Sequence, residues 1–79
     1  MAIDFDAYLT LEQKKLIVES RLQQFAAEAY QAHLSKEIQI LRGDDYAVSA
    51  YNESLDLIES AISVHADELA KLDSETPAN

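Results

Sequence analysis

The sequence predicts an all-α fold: an antiparallel two-helix hairpin with coiled-coil-like packing that assembles into a helical bundle. Three observations carry this expectation. Val48, Tyr51, Leu55, Ile58, Ile62, His65, Leu69 and Leu72 follow an unbroken alternation of three- and four-residue steps, which keeps their side chains on one narrow seam of an α-helix. One glycine and one proline in 79 residues leave almost no turn chemistry for a multi-stranded sheet. The first half also carries a seam, Val18, Leu22, Phe25, Ala29 and Ala32, and an antiparallel pair requires matching seams.

The elements follow in order. Residues 1–9 read as an N-terminal arm or short helix. Thr10-Leu11-Glu12-Gln13 fits a capping box, with the Thr10 hydroxyl on the backbone of residue 13 and Gln13 reaching back. Asp4 or Asp6 is the alternative cap, for an earlier start through Phe5, Tyr8 and Leu9. Helix 1 then covers about residues 10–42 with no internal breaker. Gly43 suits the left-handed position that ends a helix, and Arg42 complements the negative end of its dipole. The turn spans 43–45, where Asp44 and Asp45 are candidate caps for helix 2, over about residues 46–72. So short a connection makes the helices antiparallel neighbours. The polar stretch 73–79, with Pro77, reads as a flexible tail.

Folding at Gly43 pairs residues whose numbers sum to about 87. Val18 then meets Leu69, Leu22 meets His65, Phe25 meets Ile62, Ala29 meets Ile58 and Ala32 meets Leu55. Two alanines thus face bulkier residues, as a close-packed layer requires. The same register sets Arg21 near Glu68 and Lys14 near Glu75. Toward the turn Lys36 and Gln39 occupy the extrapolated seam, so a small rotation bringing Ile40 and His33 inward is expected there.

Charge and composition narrow the function. The net charge is −9: residues 1–42 hold six acids and five bases, whereas 43–79 hold nine acids and only Lys71. Phosphate backbones and anionic membranes select clustered bases, so no direct nucleic-acid or membrane binding is expected. Without cysteine there is no disulfide framework or thiolate metal site. No apolar run reaches the ~18–20 residues that cross a bilayer, and the N-terminus has acids where an export signal would have bases. A cytoplasmic location is the expectation. A core this small is marginal without added support, and oligomerisation is what remains.

Helix 1 carries a second apolar stripe, Ala27, Tyr30, Leu34, Ile38 and Leu41, extended less regularly by Leu16 and Ile17. Helix 2 offers a weaker flank through Ala50, Leu57, Ala61 and Val64. Left in water, the stripe is large enough to suggest an interface. It can be covered by the arm through Ile3, Phe5, Tyr8 and Leu9, by a second copy, or by another protein. Since the stripe is strongest at the turn and the arm reaches the open end, a second copy forming a four-helix bundle and a partner protein or larger assembly are both favoured over the arm, the second copy first. The outer acids of helix 2, Glu53, Asp56, Glu59 and Asp67, read as a solubilising face or as a docking face for a basic surface.

Chemistry is sparse. His65 is the one polar group of the helix 2 seam, and a partly buried, hydrogen-bonded histidine explains it better than a pH sensor does. His33 is explained in the same way. Di-iron bundles use Glu-x-x-His pairs, but the residues three before the two histidines are Tyr30 and Ile62. There is no glycine-rich phosphate loop and no nucleophile motif. No enzyme activity, catalytic residue, cofactor or metal is expected. The leading expectation is a self-associating assembly or adaptor module, a homo-oligomer with a dimer favoured. The alternative is a small acidic regulator or inhibitor docking on a basic protein surface. Short acidic hairpins of that kind occur among phage and bacterial accessory proteins, a class that assigns no residue roles.

Overall fold

Thr10 starts the first long helix. Its hydroxyl accepts from the Gln13 backbone N–H at 3.1 Å, and the Gln13 side chain accepts from the Thr10 N–H at 2.8 Å. Two otherwise unpaired donors are satisfied reciprocally, which settles the start at Thr10 rather than at Asp4 or Asp6. In the computed structural model, which describes residues 2–75, this helix (α1) runs Leu11–Arg42. A single turn of 3-10 helix at Phe5–Ala7 precedes it.

Gly43 ends α1 at φ 73°, in the left-handed region that glycine enters without strain. Its N–H donates to the Ile40 carbonyl at 3.1 Å, and the Asp44 N–H donates to the Gln39 carbonyl at 3.0 Å. These two bonds form the Schellman arrangement and satisfy carbonyls that the helix end leaves open. Asp44 then caps the second helix by accepting from the Ala47 N–H at 3.0 Å. That helix (α2) runs Asp45–Ser74. It extends past Leu72 because the Ser74 hydroxyl and the Glu75 N–H both close on the Lys71 carbonyl. Residues 76–79, the rest of the tail read from the sequence, lie outside the described residues.

The two helices pack along their length as an antiparallel hairpin, with no strand among the described residues. The register agrees with the seam pairing. Three cross-helix contacts, Arg21–His65, Lys15–Asp73 and Phe25–His65, have sums of 86, 88 and 90. All eight seam residues of α2 are at least partly covered, as are Val18, Leu22, Phe25, Ala29 and Ala32 on α1.

The rotation expected near the turn does not occur. Ser35, Lys36 and Gln39 stay partly covered, while His33 is exposed and Ile40 is 48% exposed. Turning the end of α1 would move its whole lower seam out of register. A lysine or glutamine can instead lay its aliphatic stem over the seam and keep its polar end wet.

Little of the molecule is enclosed. Among the described residues only Val18 and Leu72 are buried hydrophobics, at 8% and 3% exposed. The accessible surface is 6283 Å², against about 4,800 Å² for a compact protein of this mass. The radius of gyration is 17.2 Å, against about 12 Å for a compact chain of this length.

Candidate interaction surface

The outer face of α1 is built by simple helix geometry. Ala27, Leu34, Ile38 and Leu41 each lie nine residues after a seam member, namely Val18, Phe25, Ala29 and Ala32. Nine residues are about two and a half turns, so the stripe lies on the side of α1 opposite α2. Its members are open to solvent: Leu41 is 90% exposed, Tyr30 63%, Ile38 55% and Leu34 47%, and Ala27 is exposed as well. The Tyr30 ring stacks on His33 with centroids 6.4 Å apart, so the ring is held against α1 at one margin of the stripe. Leu16 continues this face and is exposed.

The N-terminal arm does not cover the stripe. It folds over the open end of the hairpin, where Phe5 and Leu9 join Lys14, Ile17, Val18, Glu68 and Leu72 around an open cleft of about 290 Å³. Ile17 therefore belongs to the arm cleft rather than to the stripe. Leu9 is half-covered, while Ile3, Phe5 and Tyr8 remain exposed. An ion pair between Asp6 and Lys14 ties the arm to α1. The hydrogen bond to Asp6, more than the surrounding carboxylates, raises Lys14 above the usual lysine range, with desolvation opposing it.

Lys14 and Arg21 thus choose partners that differ from the sequence expectation. Lys14 bonds Asp6, with Glu75 and Glu68 acting on it only at longer range. Arg21 meets His65 rather than Glu68. Its Nε–H donates to His65 Nε2 at 2.8 Å, while His65 Nδ1 lies 2.7 Å from the Ala61 carbonyl. A carbonyl only accepts, so Nδ1 carries the proton and Nε2 is the acceptor. His65 also meets Phe25 edge-on at 5.1 Å, and the Arg21 guanidinium lies 5.3 Å from that ring's centroid. The seam histidine is therefore spent on joining the two helices.

On α2, Glu53, Asp56, Glu59 and Asp67 are all exposed. Their carboxylates form no ion pair among the described residues. Leu57 and Val64 are exposed on the flank, together with Tyr46 at 87%, which the sequence reading did not single out. Ala61 turns partly inward. Tyr46 lies seven residues before Glu53 and eleven before Leu57, and that helical spacing could have found it. Among the described residues, no His, Cys, Asp or Glu side chains group as metal ligands would, and no helix is long and apolar enough to cross a membrane.

Fold and surface together define a two-helix hairpin with an uncovered apolar stripe on α1, a shorter exposed apolar flank at Tyr46, Leu57 and Val64 on α2, and an acidic face, among the described residues. Compared with protein-family models, curated proteins and solved structures, the chain matches none.

Proposed function

We propose that the chain is a non-enzymatic interaction protein of the cytoplasm: a helical hairpin that self-associates through Ala27, Tyr30, Leu34, Ile38 and Leu41 and acts as an assembly or adaptor module. The observation that carries this is the hairpin's lack of an enclosed core. Only Val18 and Leu72 are buried among the described residues, while a contiguous apolar stripe stands open on the face away from α2. A 79-residue chain without cysteine has few other sources of stability. Burying the stripe against a second copy supplies apolar area that one hairpin cannot.

The test is the mass in solution at tens of micromolar. A dimer is expected, and a strictly monomeric species would sink the reading. A second reading, a regulator docking on a basic protein surface, is favoured by one observation: the exposed acids Glu53, Asp56, Glu59 and Asp67 share α2 with a single base, Lys71. Neutralising these four acids discriminates the two. The self-association reading expects an unchanged dimer, whereas the docking reading expects loss of a partner captured from cell extract.

A further inference from the structure

We infer that the occupant of the α1 stripe is a second copy running antiparallel, related by a two-fold axis through Leu34. This rests on the self-association proposed above and specifies its geometry. The five stripe residues are spaced three, four, four and three apart, a palindrome about Leu34. A two-fold axis at Leu34 places Ala27 opposite the partner's Leu41, Tyr30 opposite the partner's Ile38, and Leu34 opposite its own copy. Such a patch is self-complementary, as a closed two-fold interface requires.

Size decides the direction. Antiparallel pairing sets the smallest member, Ala27, against the most exposed leucine, and it sets the aromatic ring against a branched aliphatic chain. Those are the large-against-small contacts of a filled layer. Parallel pairing would set Ala27 on Ala27, leaving a gap, and Tyr30 on Tyr30 one turn further on, crowding two rings together.

The margins agree. On one side the exposed residues flanking the stripe are His33 and Glu37, and the two-fold axis brings His33 of each copy beside Glu37 of the other. On the other side lie Gln24, Gln31 and Arg42, where Arg42 faces the partner's Gln24. No like charges oppose each other at either margin.

The paired segment runs from about residue 24 to residue 42 of each α1, roughly 28 Å of helix. It buries on the order of 1,000 Å² over both partners, the lower bound for a specific interface. That describes a reversible dimer. Because the stripe lies opposite α2, the dimer is an open row, α2–α1–α1–α2, rather than four helices closed around one core.

Single-cysteine variants test the pairing cleanly, since the chain has no cysteine of its own. Leu34→Cys should cross-link to itself under mild oxidation. Ala27→Cys and Leu41→Cys should link at least tenfold faster when mixed than either does alone, with one partner tagged so that the mixed product is seen by mass. All three positions are exposed, and far-UV circular dichroism confirms that each variant keeps its helices. If Ala27→Cys and Leu41→Cys each link to themselves as fast as in the mixture, the antiparallel register is overturned while self-association stands. A dimeric mass with no cross-link at any of the three positions moves the interface off the stripe and also overturns the inference. A monomeric mass overturns the proposed function itself.

Discussion

Replacing Leu34 separates the interface from the fold. Fully burying a leucine is worth about 1.5–3 kcal/mol. Leu34 is 47% exposed in the hairpin, so pairing can remove only about half of it from water, roughly 1 kcal/mol per copy. The two-fold axis counts that loss twice. Leu34→Ala should therefore weaken the dimer by about 2 kcal/mol, close to thirtyfold in Kd. Leu34→Asp also buries two carboxylates facing each other at the centre, at several kcal/mol more, for a loss above about a thousandfold. The hairpin itself should change little, because Leu34 lies on the side of α1 away from the seam: Asp costs about 0.5 kcal/mol in helix propensity, whereas Ala costs none. Sedimentation equilibrium across the micromolar range measures the association, and far-UV circular dichroism measures the fold. If Leu34→Asp associates as the parent does, the stripe is not the interface. If instead it unfolds the chain, the division between seam and outer stripe is wrong.

The remaining predictions concern the hairpin itself. Ile58→Asp sets an unpaired charge in the partly covered seam, a loss of about 3 kcal/mol or more in a chain with little to spare; helicity should collapse at every concentration. Gly43→Ala meets nothing within 4 Å, so its cost is backbone strain alone, about 1–2 kcal/mol in chemical denaturation, and Gly43→Asn should cost less. The Asp6–Lys14 contact should hold the arm at neutral pH. Lys14 is raised by that hydrogen bond, so the contribution is full below the ordinary lysine value and is lost as pH rises through the higher folded-state value. The carbon-bound ring and methyl proton signals of Phe5 and Leu9, which do not exchange with water, should hold their shifts through neutral pH and move only in strong alkali, whereas Lys14→Met should move them already at neutral pH.

What could be read from the sequence is what local rules govern. The Thr10–Gln13 box, the Gly43 stop and the Asp44 cap each depend on a few adjacent residues, and the seam depends on a period that eight consecutive members repeat. Partner choice needed finer information. A sum of about 87 placed Glu68 and His65 equally within reach of Arg21, and the ring geometry at Phe25 and the free Nε2 of His65 decided for the histidine. Lys36 and Gln39 misled for another reason. Polarity argued for excluding them from the seam, but a continuous helix carries whatever lies at the next seam position, and long stems tolerate partial cover. The stripe was legible as an apolar pattern, whereas its exposure depended on where the arm settled. The arm went to the open end because Asp6 found Lys14 there and Leu9 found cover there.

The uneven charge along the chain has a physical consequence for which helix can self-associate. Residues 43–79 carry nine acids and one base, whereas residues 1–42 carry six acids and five bases. An interface built on α2 would press two strongly acidic helices together at 8–10 Å, within a Debye length at physiological salt. In the proposed row the nearly neutral α1 helices meet, and the two α2 helices lie at the outer edges. Three interhelical spacings then separate them, about 25–30 Å, where salt screens their repulsion. The acidic faces of both copies point outward and away from each other. They hinder self-association little, and they stay free for solvation or for a basic partner on either edge. Charge and apolar area thus select the same helix: α1 holds the stripe and has almost no net charge to oppose its own copy.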